Sequence, residues 1–129
     1  SIGAVKGFEI GDGFEAARSN GSTNNDAFCL KDGQITKKTN HSGGTLGGMS
    51  DGSTVIFRAA IKPTPSISSL QQTVNSSMEE VDISVKGRHD PIIVPRAGVV
   101  VESMAALTTV DLLLRNMSAS MDHLLRIYR

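Results

Sequence analysis

Cys29 is the only cysteine in 129 residues, which excludes an intrachain disulfide and suits a reducing, cytoplasmic setting. Tryptophan is missing and aromatic residues make up only 4% of the chain, so a core must rest on Val, Ile, Leu, Met and Ala. Neither sign of charge is in excess, since 13 Lys and Arg balance 13 Asp and Glu. No global basic field therefore points to nucleic acid, and any anion binding has to be local. The three histidines and the cysteine show no metal-ligand spacing, and there is neither a GxSxG motif nor a Cys–His signature. No signal peptide is visible, and no apolar run reads as long enough to cross a bilayer. The chain opens Ser1-Ile2-Gly3-Ala4 in mid-pattern and without an initiator Met, which suggests a fragment or a processed piece.

What the sequence does have is glycine, concentrated where the side chains around it are small and polar. Five glycines fall between Asn40 and Gly52, in Asn40-His41-Ser42-Gly43-Gly44-Thr45-Leu46-Gly47-Gly48-Met49-Ser50-Asp51-Gly52. Such a stretch lets a backbone come close to something else, and its amides can face a phosphate or a flat ring. A flexible hairpin loop without a ligand is the plainer alternative, because glycine pairs are common turn signals. The spacing fits neither a dinucleotide GxGxxG after a strand nor a Walker loop.

Residues 52–61 follow as the best strand. Val55, Phe57, Ala59 and Ile61 share one face, and Thr54, Ile56, Arg58 and Ala60 share the other. Lys62-Pro63-Thr64-Pro65-Ser66 ends it and sets an ammonium and two hydroxyls on a backbone stiffened by proline. That turn is either an anion site or a plain strand exit. Earlier in the chain, 1–14 reads as a short buried strand or turn, 15–18 as a helical turn and 19–26 as a loop. The pair Asp32-Gly33 marks a hairpin between 27–30 and 34–36.

Residues 79–85 alternate again, with Val81, Ile83 and Val85 expected inward. Arg88-His89-Asp90-Pro91 then gathers three ionisable groups, read either as an anion clamp with a proton acceptor or as a surface Arg–Asp pair that holds a turn. From Ala97 the period becomes helical, and apolar residues nearly encircle the helix, so it is expected to be buried in a core or against a partner subunit. The segment 118–129 continues that helix or restarts it with Ser120 as N-cap. His41 and His89 are acid–base candidates, with a satisfied structural role as the simpler reading. His123 reads as a surface residue.

Taken in order, Ala4-Val5-Lys6-Gly7-Phe8-Glu9-Ile10-Gly11, Asn40-His41-Ser42-Gly43-Gly44, Gly47-Gly48-Met49-Ser50, Lys62-Pro63-Thr64-Pro65-Ser66 and Gly87-Arg88-His89-Asp90-Pro91 resemble chorismate synthase. The likeness runs across essentially the whole chain and covers the C-terminal part of the family pattern. The N-terminal part, with a catalytic His and an Arg cluster for the substrate phosphate, is missing, so residues 1–129 are expected to form a single C-terminal part of a larger domain.

The resemblance implies an α+β fold in which antiparallel sheets pack on helices as a β-α-β sandwich, assembled as a homotetramer. It implies a cytoplasmic lyase of the shikimate pathway that leads to the aromatic amino acids. The enzyme would convert 5-enolpyruvylshikimate 3-phosphate to chorismate and phosphate by anti 1,4-elimination. It would need reduced FMN for transient electron donation, and the resemblance also associates NADP with the family. Neither nucleic acid nor membrane is an expected partner.

By motif, Gly3 and Ala4, Gly47, the turn Lys62, Pro63, Thr64, Pro65 and Ser66, and Arg88 would contact FMN. Gly3 stands where some members carry Asn, and so lacks that side-chain contact. Asp90 would handle the proton near flavin N5, with Arg88 close to the substrate. The alternative is a non-catalytic fragment or oligomerisation module of that enzyme.

Overall fold

The computed structural model describes residues 2–89 and 91–128. The chain divides into two compact units, one spanning Gly3–Lys62 and the other made mainly of Pro63–Arg129. It is α+β, with antiparallel two-stranded sheets followed by helices.

In the first unit, β1 (Val5–Ile10) pairs antiparallel with β6 (Phe57–Ile61). The alternation read in the sequence holds along β6, where Phe57, Ala59 and Ile61 are half-buried while Arg58 and Ala60 are exposed. Phe8 and Phe57 meet with ring centroids 5.4 Å apart. Glu9 and Arg58 are cross-strand partners and form an ion pair at 2.8 Å. Val55 lies before the strand, which is shorter than the pattern suggested.

Between these strands the chain makes a 3-10 helix (Gly13–Arg18) and two hairpins. β2 (Phe28–Lys31) and β3 (Gln34–Lys37) turn at Asp32-Gly33, both with positive φ, as the two-residue hairpin signal requires. β4 (Thr45–Leu46) and β5 (Met49–Ser50) turn at Gly47-Gly48 with φ of 59° and 80°. The second half of the glycine-rich stretch is therefore a minimal hairpin, a shape that glycine makes cheap in this left-handed region.

The second unit holds β7 (Gln71–Val74) paired with β8 (Glu80–Ile83), then α1 (Val94–Met117) and α2 (Met121–Tyr128). Pro95 sits in the first turn of α1, where its missing N–H costs little. The helix ends at Ser118 and restarts, with Leu124 N–H donating to Ser120 carbonyl and Asp122 in the first turn of α2.

Two expectations of burial do not hold within this chain. All four residues of β8 are exposed, Val81 and Ile83 included, because nothing among the described residues covers that hairpin. No residue of α1 is buried either. Among the described residues no hydrophobic side chain is fully buried anywhere. α1 also departs from the membrane expectation. At 24 residues, it is long and apolar enough to cross a bilayer by length and composition alone.

Candidate functional site

The β1–β6 ladder sets the geometry of the first unit's candidate residues. Past its Val5–Ile61 end, Lys62 N–H donates to Ala4 carbonyl at 2.8 Å. Two motifs far apart in sequence, Gly3-Ala4 and Lys62, thus meet at one end of the sheet. Ala4 has φ of 64°, a left-handed conformation that costs a non-glycine residue about 1–2 kcal/mol. Strain of this kind gathers where surrounding structure fixes a backbone for use. Lys62 is exposed and makes no ion pair among the described residues.

At the other end of the ladder, about 20 Å away by strand rise, sit Gly43 and Gly44. They are buried, and a Cβ on Gly43 would lie 2.3 Å from Gly11 N, while one on Gly44 would lie 2.6 Å from Thr54 carbonyl oxygen. Their amides are already used. Gly43 N–H donates to Asn40 carbonyl at 3.1 Å, and Gly44 N–H to Asn40 Oδ1 at 2.8 Å. This pair accordingly offers no free donors to an anion. It exists to let three backbone segments pass in contact, so neither the phosphate cradle nor the flexible loop describes it. Gly47 differs, since nothing lies within 4 Å of the position its Cβ would take.

The rest of the loop is pinned by side chains that composition and spacing did not single out. Asp26 accepts from Thr39 Oγ1 at 2.8 Å, His41 N–H at 2.8 Å and Ser42 N–H at 2.9 Å. Burial by itself would raise its pKa, but the N–H groups of Ser42 and His41, with the Thr39 and Ser42 hydroxyls, outweigh that and hold the carboxyl far below the usual range. Asp51 is held below its usual value first by Lys37 and then by Ser53. His41 Nδ1 meets Asp12 Oδ2 at 2.7 Å, and Asn24 Nδ2 donates to the same oxygen at 2.9 Å. His41 is thus a satisfied histidine that holds the loop to the end of β1. Sequence spacing gave no sign of these partners, which lie far apart along the chain.

In the second unit, Thr64 is half-buried, and its Oγ1 is buried without a hydrogen-bond partner among the described residues. An unmet hydroxyl of that kind costs about 1–3 kcal/mol, and it lies within the Lys62–Ser66 stretch. Pro65 carbonyl accepts from Gln71 Nε2 at 3.1 Å and from Ile67 N–H at 3.0 Å, which fixes the exit of that stretch. Arg88 is exposed, and His89 Nε2 lies 3.1 Å from Val85 carbonyl. Asp90, the proposed proton-handling carboxylate, lies outside the described residues.

Within the first unit, then, the exposed Lys62 is joined by its backbone to the left-handed Ala4. The family model described as chorismate synthase matches residues 1–114. The chain belongs to the chorismate synthase family. The chorismate synthase of Agathobacter rectalis is 69% identical over 129 residues, covering 100% of this chain and 35% of the relative. That of Lachnospira eligens is 66% identical over the same span, with 35% of the relative covered. The Archaeoglobus fulgidus chorismate synthase is 63% identical over 114 residues, 88% of this chain and 32% of the relative. A crystal structure of chorismate synthase is similar over 50% of this chain and 19% of its own, at 43% identity and a TM-score of 0.46. The chain thus spans about a third of the length of the curated chorismate synthases it matches.

Proposed function

We propose that this chain is part of a chorismate synthase, a lyase that eliminates phosphate from 5-enolpyruvylshikimate 3-phosphate with reduced FMN as cofactor. Family membership supports the reaction class. The meeting of Ala4 and Lys62 at one end of β1–β6 carries the local reading, because two separate family motifs share one backbone hydrogen bond there.

Gly3, Ala4, Gly47, Lys62, Pro63, Thr64, Pro65, Ser66 and Arg88 would contact the flavin or its phosphate. The orphaned Thr64 hydroxyl and the free Lys62 ammonium fit that role, one as a hydrogen-bond donor and the other as a point charge. Reduced FMN, held by these residues, would supply transient electron donation. Asp90 would take the proton and Arg88 would steady the anionic substrate. The remaining substrate contacts would come from segments outside this chain. Assembly as a homotetramer and a cytoplasmic setting belong to the same proposal.

The test is FMN titration and turnover in the complete enzyme. Lys62→Ala should weaken FMN binding by about tenfold and flatten its salt dependence. Unchanged affinity would remove the lysine turn from the site. Asp90→Asn should depress turnover far more than FMN affinity, whereas an equal loss of both would make it a binding residue.

A further inference from the structure

Lys37 sits between two carboxylates at the foot of the β4–β5 hairpin. Its ammonium contacts Asp51 Oδ2 directly, lies 4.0 Å from Asp26 Oδ2, and donates to Ser42 Oγ at 3.3 Å. The side chains are only 6% exposed for Lys37, 8% for Asp26 and 12% for Asp51. Its cross-strand partner Phe28 places a ring centroid 6.0 Å from the same nitrogen. A buried ammonium needs such compensation, and so do the carboxylates around it.

The three residues belong to different parts of the unit. Asp26 precedes β2 and holds the entry to the glycine loop at 39–42 through three donors. Asp51 follows β5 and closes the hairpin stem, its N–H donating to Gly44 carbonyl at 3.1 Å. Its Oδ1 accepts from Ser53 N–H at 2.9 Å. Lys37 is the last residue of β3. One cation therefore bridges the entry and the exit of the loop and ties both to the β2–β3 hairpin.

β4–β5 has only two residues per strand, and its Leu46 and Met49 side chains are exposed. Two-stranded hairpins are marginal by themselves, so the direction of the Gly47-Gly48 turn depends on what holds its stem.

We propose that Lys37, acting through Asp51 and Asp26, is a positioning residue that aims the Gly47-Gly48 backbone at the ligand. This rests on the reading of Gly47 as a flavin contact. Lys37 itself touches no ligand in this account. It keeps two glycines with unhindered backbone from sampling other orientations, so that a ligand does not have to order them on binding.

The experiment compares Lys37→Met, Lys37→Arg and Lys62→Ala in the complete enzyme. It reads FMN affinity by fluorescence, melting temperature, and hydrogen exchange of residues 45–51. Lys37→Met should weaken FMN affinity by about tenfold well below its melting temperature. It should also speed exchange at 45–51 with little change along β1–β6. Lys37→Arg, which keeps the cation, should recover most of the affinity.

A lower melting temperature with FMN affinity within about twofold of the parent and unchanged exchange at 45–51 would overturn the proposal, leaving the cluster as a stabilising contact alone. If Lys62→Ala also leaves affinity unchanged, the flavin reading of the lysine turn fails separately. The exchange data still decide whether Lys37 holds the turn, and unchanged exchange rejects it.

Discussion

The two glycine pairs of the 40–52 loop separate a packing demand from a conformational one. Gly44 needs both a left-handed φ of 78° and empty space, because any Cβ would press on the Thr54 backbone. Gly47 needs only the φ, since its surroundings are open. Gly44→Ala should therefore cost about 2–4 kcal/mol of stability, combining conformational strain with a backbone clash that cannot relax cheaply. Gly47→Ala should cost about 1 kcal/mol. Urea denaturation followed by far-UV circular dichroism would compare them, and equal losses would contradict the packing role of Gly44. A sequence can announce that glycines cluster, but it cannot say which of them is enclosed. That depends on Gly11 and Thr54 arriving from other strands.

Among the elements, the Asp32-Gly33 hairpin and the strands at 57–61 and 80–83 were legible because each follows from a local rule. Asp32-Gly33 is a hairpin turn wherever it falls between short strands, and residues 57–61 keep a period of two. The β4–β5 hairpin stood only as one of two readings of the glycine-rich stretch, since its strands are too short to show a period. The clamps on the glycine loop were hidden for another reason: Asp26, Lys37 and Asp51 are joined only by folding.

Their titration gives an element-level expectation. Asp26 has a folded pKa below its ordinary 3.8, so in acid the unfolded chain binds more protons than the folded one. The stability that Asp26 contributes is present above that ordinary value and is lost as pH falls from about 5 toward the folded value. Hydrogen exchange at 39–42 should accelerate over this range before the β1–β6 ladder opens. Asp26→Asn should be less stable at neutral pH and show a flatter acid profile. An acid profile as steep as the parent's would point to other carboxylates.

For the molecule as a whole, the decisive fact is the missing cover. α1 is about 36 Å long by helical rise, apolar on nearly every side, and has no buried residue. Val99, Leu107, Leu112 and Leu113 are each more than half exposed. The chain spans about a third of the length of the chorismate synthases it matches. Expressed alone, the 129-residue chain should bind a hydrophobic dye strongly and self-associate with rising concentration. A dye-silent monomer in sedimentation velocity would contradict an exposed α1.

The sequence by itself determined the family, because its ordered motifs are specific and lie in single stretches. It also determined the helices, the main strands and the Asp32-Gly33 turn, because these obey periodicities and turn chemistry acting over a few residues. Tertiary structure alone decided that Gly43-Gly44 is a close backbone crossing, that Ala4 meets Lys62, and that His41 is satisfied by Asp12. It alone assembled Lys37 with its two carboxylates. Each of those depends on strands pairing at long range, and the free energy of a contact between distant residues leaves no local pattern in the chain.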